Sequence, residues 1–129
     1  MLTACRYLAL AYAIGLAIAE AVLNSVQGQW QYAPMWVIDY VIVAYLLIGF
    51  WATRRGRGVP VLMSAYALSA GVLYMAFFAS FDPDLPDSAR GPGFVVALIG
   101  LALSVSVLGL IGTTAAWALR ERAAAAGGG

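Results

Sequence analysis

The chain has no histidine and no lysine; its seven basic side chains are all arginine. Without histidine it lacks the side chain most used as a proton shuttle near neutral pH and the commonest transition-metal ligand. Cys5 is the one cysteine, which excludes an internal disulfide, a CxxC redox pair and a cysteine-built metal cluster. Charge of any kind is scarce: 10% of residues are charged and 64% hydrophobic, where soluble domains hold about a quarter and about half. A water-soluble fold of 129 residues cannot hide that much apolar surface, so the composition calls for a bilayer as solvent. A net charge of +1 argues against nucleic acid as a partner. No nucleophile–base pair, phosphate-binding loop or metal-ligand spacing occurs, so neither an enzyme nor a cofactor site is expected.

What the sequence does hold is four long apolar runs, at about 2–26, 34–53, 59–80 and 93–119, each reaching the ~20 residues a helix needs to cross ~30 Å of hydrocarbon. The expected fold is therefore all-α: an integral membrane four-helix bundle, one domain over residues 1–122. The punctuation has local causes. Gln27-Gly28-Gln29 ends the first run, and Pro34 suits the first turn of the second helix, where its missing N–H is no loss. Arg54-Arg55-Gly56-Arg57-Gly58 makes a tight charged turn, with Pro60 opening the third helix. The stretch from Phe81 to Pro92, with three prolines and three aspartates, reads as a loop. Ala123 to Gly129 has nothing to bury and is expected to be a flexible tail.

Arginine placement sets the expected orientation. Arg6, Arg54, Arg55, Arg57, Arg120 and Arg122 fall on one side of a four-span arrangement, and Arg90 falls on the other with Asp82, Asp84 and Asp87. The positive-inside rule then puts both termini in the cytoplasm, in a membrane of the bacterial inner type. Aromatics agree: Trp30, Tyr32, Trp36 and Phe81 lie at the outer interface, and Tyr7, Trp51 and Trp117 at the inner one. Ala17-Ile18-Ala19 also matches a signal-peptide cleavage pattern, which would leave three spans. Because the apolar run continues to Val26, an intact first span is the expectation.

Two carboxylates lie inside the runs, where an acid costs a few kcal/mol and usually faces the bundle interior. Glu20 lies ~9 Å of helical rise from the outer end of its run and Asp39 ~8 Å from the outer end of the next, so both share one depth. Glu20, Asn24 and Gln27 follow i, i+4, i+7 spacing and form a polar stripe that deepens from the outer surface. Tyr74, and Ser80 near it, fall in the same leaflet. The candidate polar pocket is Glu20, Asn24, Gln27, Asp39 and Tyr74, suited to proton or cation handling because two adjacent carboxyls retain a proton between them. Purely structural roles account for the acids as well: Asp39 near a helix N-terminus, Glu20 held by Asn24, a tyrosine or Arg90.

Small residues at spacings of four form further stripes: Ala11, Gly15 and Ala19; Ala67 and Gly71; Gly100 and Ser104; Gly109 and Thr113. They are expected to pack inside the bundle, with an oligomer seam as the other use. Ser104, Ser106, Thr113 and Thr114 are expected to bond back to their own helix carbonyls. Ala19-Glu20, and Ala65-Tyr66-Ala67-Leu68 with Gly71, resemble elements of the small multidrug resistance transporters, four-helix proteins with an essential glutamate in the first span. Ser69 and Leu73 stand where that family carries tryptophan and glycine, and Asp39 has no counterpart there, so the chain is not assigned to it. The leading expectation is an accessory protein that binds membrane proteins or lipid. The alternative is an oligomeric small transporter or proton-linked carrier using Glu20 and Asp39. Expected partners are the lipid bilayer, a membrane protein or further copies of the chain.

Overall fold

The computed structural model describes residues 1–27, 33–55, 58–84 and 92–127. They form four helices: α1 (Leu2–Gln27), α2 (Ala33–Ala52), α3 (Val59–Ala79) and α4 (Gly93–Gly127), with a short 3₁₀ turn at Thr53–Arg55 after α2. Each helix packs on its chain neighbours, and α1 also meets α4 to close a four-membered ring along its loosest seam.

Every helix turns one seam of alternating three- and four-residue steps toward the axis, the spacing that keeps a stripe facing its partners in a left-handed bundle. On α2 the seam is Asp39, Ile42, Leu46, Gly49 and Thr53; on α3 it is Val59, Leu62, Tyr66, Ser69 and Leu73. Ala9, Ala13, Ile42, Leu46, Leu62 and Tyr66 are fully buried on these seams. Tyr66, the largest of them, lies against Gly109 of α4 and donates its hydroxyl to the Cys5 carbonyl of α1 at 2.9 Å.

The outside of the bundle is apolar. Ile14, Ile18, Ile48, Leu101, Leu108 and Ile111 are all more than half exposed or close to it, an inverted pattern that suits hydrocarbon rather than water. Leu2–Val26, Val59–Ala79 and Gly93–Ala126 are each long and apolar enough to cross a membrane. The apolar part of α2 within the described residues, Trp36–Ala52, is shorter, ~26 Å at 1.5 Å per residue.

The structure differs from the sequence expectation in two places. Helix α4 runs on to Gly127, through the stretch expected to be a flexible tail. Ala123–Ala126 carries the residue with the highest helix propensity, and an already formed helix extends through it without needing packing. The small-residue stripes divide. Gly100 and Gly109 on α4 do face inward, onto Phe77 and Tyr66. Ala11, Gly15, Ala67 and Gly71 are exposed, and a Cβ at Gly15 or Gly71 would meet nothing within 4 Å. The inward seams of α1 and α3 are already taken by Ala9, Tyr12 and Ala13 and by Ala65, Tyr66 and Ser69, which turns those stripes outward.

Gly58 precedes α3 with φ at 82°, the left-handed region that glycine alone enters at little cost. A side chain there would also strike Ala52.

Candidate functional site

The inward seam of α1 runs Ala9, Ala13, Leu16, Glu20 and Asn24, so the face that builds the core lower down carries the polar stripe higher up. On α2 the same logic places Asp39 one step above Ile42. These acids meet at the end of the bundle where α1 and α3 finish and α2 and α4 begin. There the helices part around a cavity of about 450 Å³, within the usual range for small-molecule sites. Glu20, Asn24, Asp39 and Trp36 line it together with Leu16, Val72, Leu73, Ile99 and other apolar side chains of all four helices.

Asn24 is buried, and its amide nitrogen donates to Glu20 Oε2 at 2.7 Å and to the Glu20 carbonyl at 2.9 Å. The Glu20 carboxyl is therefore pinned to its own helix. Asp39 and Glu20 line the same cavity from neighbouring helices. Two carboxyls facing one apolar-walled space repel when both are ionised, so the arrangement is chemically suited to holding a proton or a cation between them. Acidic groups in an apolar-walled cavity beside an indole ring have the chemistry to attract a lipophilic cation.

One helical turn below Leu16, Leu73 and Ala102 of the cavity wall lies a ring of three hydroxyls. Tyr12 Oη and Ser69 Oγ lie 2.8 Å apart, Ser69 and Ser106 2.9 Å, and Ser106 and Tyr12 3.0 Å, joining α1, α3 and α4. Ser106 also donates to the Ala102 carbonyl at 2.9 Å. All three residues are buried, so the ring ties the helices together just below the acids. Tyr12→Phe leaves the two serines bonded to each other and is expected to lower stability by about 1 kcal/mol in thermal unfolding. A loss under a few tenths would mean that the ring contributes no net hold.

Of the sequence candidates, Glu20, Asn24 and Asp39 come together, while Tyr74 does not. Tyr74 is 54% exposed and its ring tilts against Phe78 at 4.6 Å. Leu73 holds the cavity-facing position, and the next residue on a helix is rotated by roughly 100°. Ser80 bonds back to the Ala76 carbonyl at 2.9 Å. Gln27 closes α1, but its side chain, like Arg90, lies outside the described residues. The helix-end account of Asp39 does not fit: α2 starts at Ala33, which puts Asp39 in the second turn, beyond the reach of the terminal dipole. Ser104, Thr113 and Thr114 bond back to their own helix carbonyls at 2.7–2.8 Å.

Sequence reasoning missed Trp36 as a wall of the cavity, and it missed the Tyr12–Ser69–Ser106 ring. The available signal was the seam spacing itself, since Ser69 and Ser106 stand in register with core residues one turn on either side. No protein-family model, curated protein or solved structure matches this chain.

Proposed function

We propose that the chain is a four-span membrane protein that takes up a lipophilic organic cation in the Glu20–Asp39 cavity in exchange for the proton held between the two carboxyls. The observation that carries this is the pair of acids, Glu20 and Asp39, facing one apolar-walled cavity lined by all four helices. A cation entering that space ion-pairs with the acids, and the shared proton then leaves because both carboxylates are satisfied without it. The loose α1–α4 seam offers a way in from the lipid. A groove of about 230 Å³ there shares Leu16, Leu98 and Ala102 with the cavity wall. Arginine asymmetry supports both termini and the Arg54–Arg57 turn lying in the cytoplasm.

Equilibrium binding of radiolabelled tetraphenylphosphonium to the detergent-purified chain tests the proposal. Saturable binding that weakens as pH falls is expected, because protons and cation compete for the same acids. Absence of saturable binding would remove the carrier reading. Topology is tested by labelling single cysteines in intact cells. Ser88→Cys should react with an impermeant reagent and Arg57→Cys should not; the reverse would invert the arrangement.

A second reading, an accessory protein that docks on other membrane proteins, is favoured by the outward Gly15 and Gly71 faces, where a neighbouring backbone could approach closely. Purification in mild detergent separates the two: a stoichiometric foreign protein supports the accessory role, and a pure homo-oligomer supports the carrier.

A further inference from the structure

The opposite end of the bundle holds a second, smaller cavity of about 160 Å³. Arg6 of α1, Arg54 of the 3₁₀ turn and Arg120 of α4 line it with Leu2, Thr3 and Thr53. Segments far apart in the chain thus bring three cations to one space, and no acidic residue is among the described residues that line it. An anion entering that space is attracted by all three.

Details of the arginines point the same way. Arg6 is half-buried, with its guanidinium over the Tyr7 ring at 5.2 Å and the Phe50 ring at 5.0 Å. Arg54 lies over Trp51 at 5.0 Å. Stacking on rings fixes a guanidinium plane while leaving its edge to bind an oxyanion in a forked fashion. Arg6 Nε is buried and has no hydrogen-bond acceptor, a costly state for a charged donor. The first turn of α1 contributes as well. Leu2 and Thr3 stand in the cavity wall, where the first N–H groups of a helix lack intrahelical acceptors and favour an anion. The Thr53 hydroxyl is committed to the Gly49 carbonyl at 2.8 Å, which leaves Arg6 Nε and the helix end as donors for a ligand.

We infer that this cavity binds a phosphate group, either the headgroup of an anionic phospholipid or free phosphate. Its volume equals that of roughly five liquid waters, enough for one such group. Exposed Tyr7, Trp51 and Trp117 stand at the same end, the side chains that anchor at headgroup depth in a bilayer. The inference is independent of the acid cavity and of what that cavity binds.

Thermal unfolding of the full chain in nonionic detergent, at constant ionic strength, tests it with three additives. These are short-chain phosphatidylglycerol, the matching phosphatidylcholine, and inorganic phosphate. Phosphatidylglycerol or inorganic phosphate should raise the midpoint and phosphatidylcholine should not. A response to phosphatidylglycerol alone assigns a lipid headgroup, and an equal response to inorganic phosphate assigns the free ion. Arg120→Gln, at an exposed position, and Arg6→Lys, which keeps the charge but loses the fork, should each weaken the apparent affinity about tenfold. Arg122→Gln, outside the cavity, should leave it unchanged. No response to either anion overturns the inference, and so does a response that survives undiminished in both Arg120→Gln and Arg6→Lys.

Discussion

Asp39→Asn is expected to abolish the binding of a lipophilic cation while leaving the chain folded and more stable in alkaline detergent than the unaltered protein. The loss follows from charge: with asparagine in place, Glu20 keeps a neutral partner and the cation loses half of its counter-charge. Removing one member of a desolvated charge contact costs about 3 kcal/mol, or ~100-fold in affinity. The stability gain follows from proton linkage. If the pair shares a proton as proposed, the folded state binds one that two separated, solvated carboxyls release by neutral pH. Stability therefore falls as pH rises, by at most about 1.4 kcal/mol per pH unit for one proton. Asparagine donates its amide N–H to Glu20 at every pH and removes that dependence. Glu20→Gln should do the same from the other side. Unfolding midpoints from about pH 5 to about pH 9 decide the matter. If both variants are less stable than the unaltered chain near the alkaline end, each acid was held by a favourable partner of its own and the shared proton is wrong.

The largest structural effect is expected at Gly109. Tyr66 is fully buried against it, and a Cβ built on Gly109 falls inside the Tyr66 ring. Even Gly109→Ala must displace the ring, which breaks the Tyr66–Cys5 hydrogen bond and separates α3 from α4. The expected cost is about 3 kcal/mol or more, read as a fall in the unfolding midpoint in detergent. Gly71→Ala is the matching control, since its added methyl enters open space and alanine is the better helix former by about 1 kcal/mol. That variant should be as stable as the parent or more so. The bulkier Gly71→Leu separates the two functional readings: it should leave cation binding intact, whereas a docking face at Gly71 would lose its partner.

These contrasts mark what the sequence made legible. Four helices follow from four apolar runs, because run length and the Gly-, Pro- and Arg-rich interruptions are local properties. The depth of Glu20 and Asp39 follows from counting residues to the ends of their helices, and both line one cavity. The direction in which each side chain points around its helix was less legible. Tyr74 lies on the same helix as the cavity-lining Val72 and Leu73 but on another face. Gly15 and Gly71 have the spacing of an interior stripe yet lie outside, because the three-and-four seam through Tyr12 and Ser69 claims the axis. Direction depends on which seams mesh across the bundle, which no single helix encodes. The three-arginine cavity was hidden for the same reason: Arg6, Arg54 and Arg120 share a side by charge counting, but only packing brings them to one space.

The proposed exchange of a cation for a proton at Glu20 and Asp39 is tested most directly by proton release on binding. Tetraphenylphosphonium is added to the purified chain in weakly buffered detergent near neutral pH, and released protons are read with an indicator dye. Release of close to one proton per bound cation is expected, together with loss of both binding and release in Asp39→Asn. Binding of the cation at full affinity with no proton released would contradict the account.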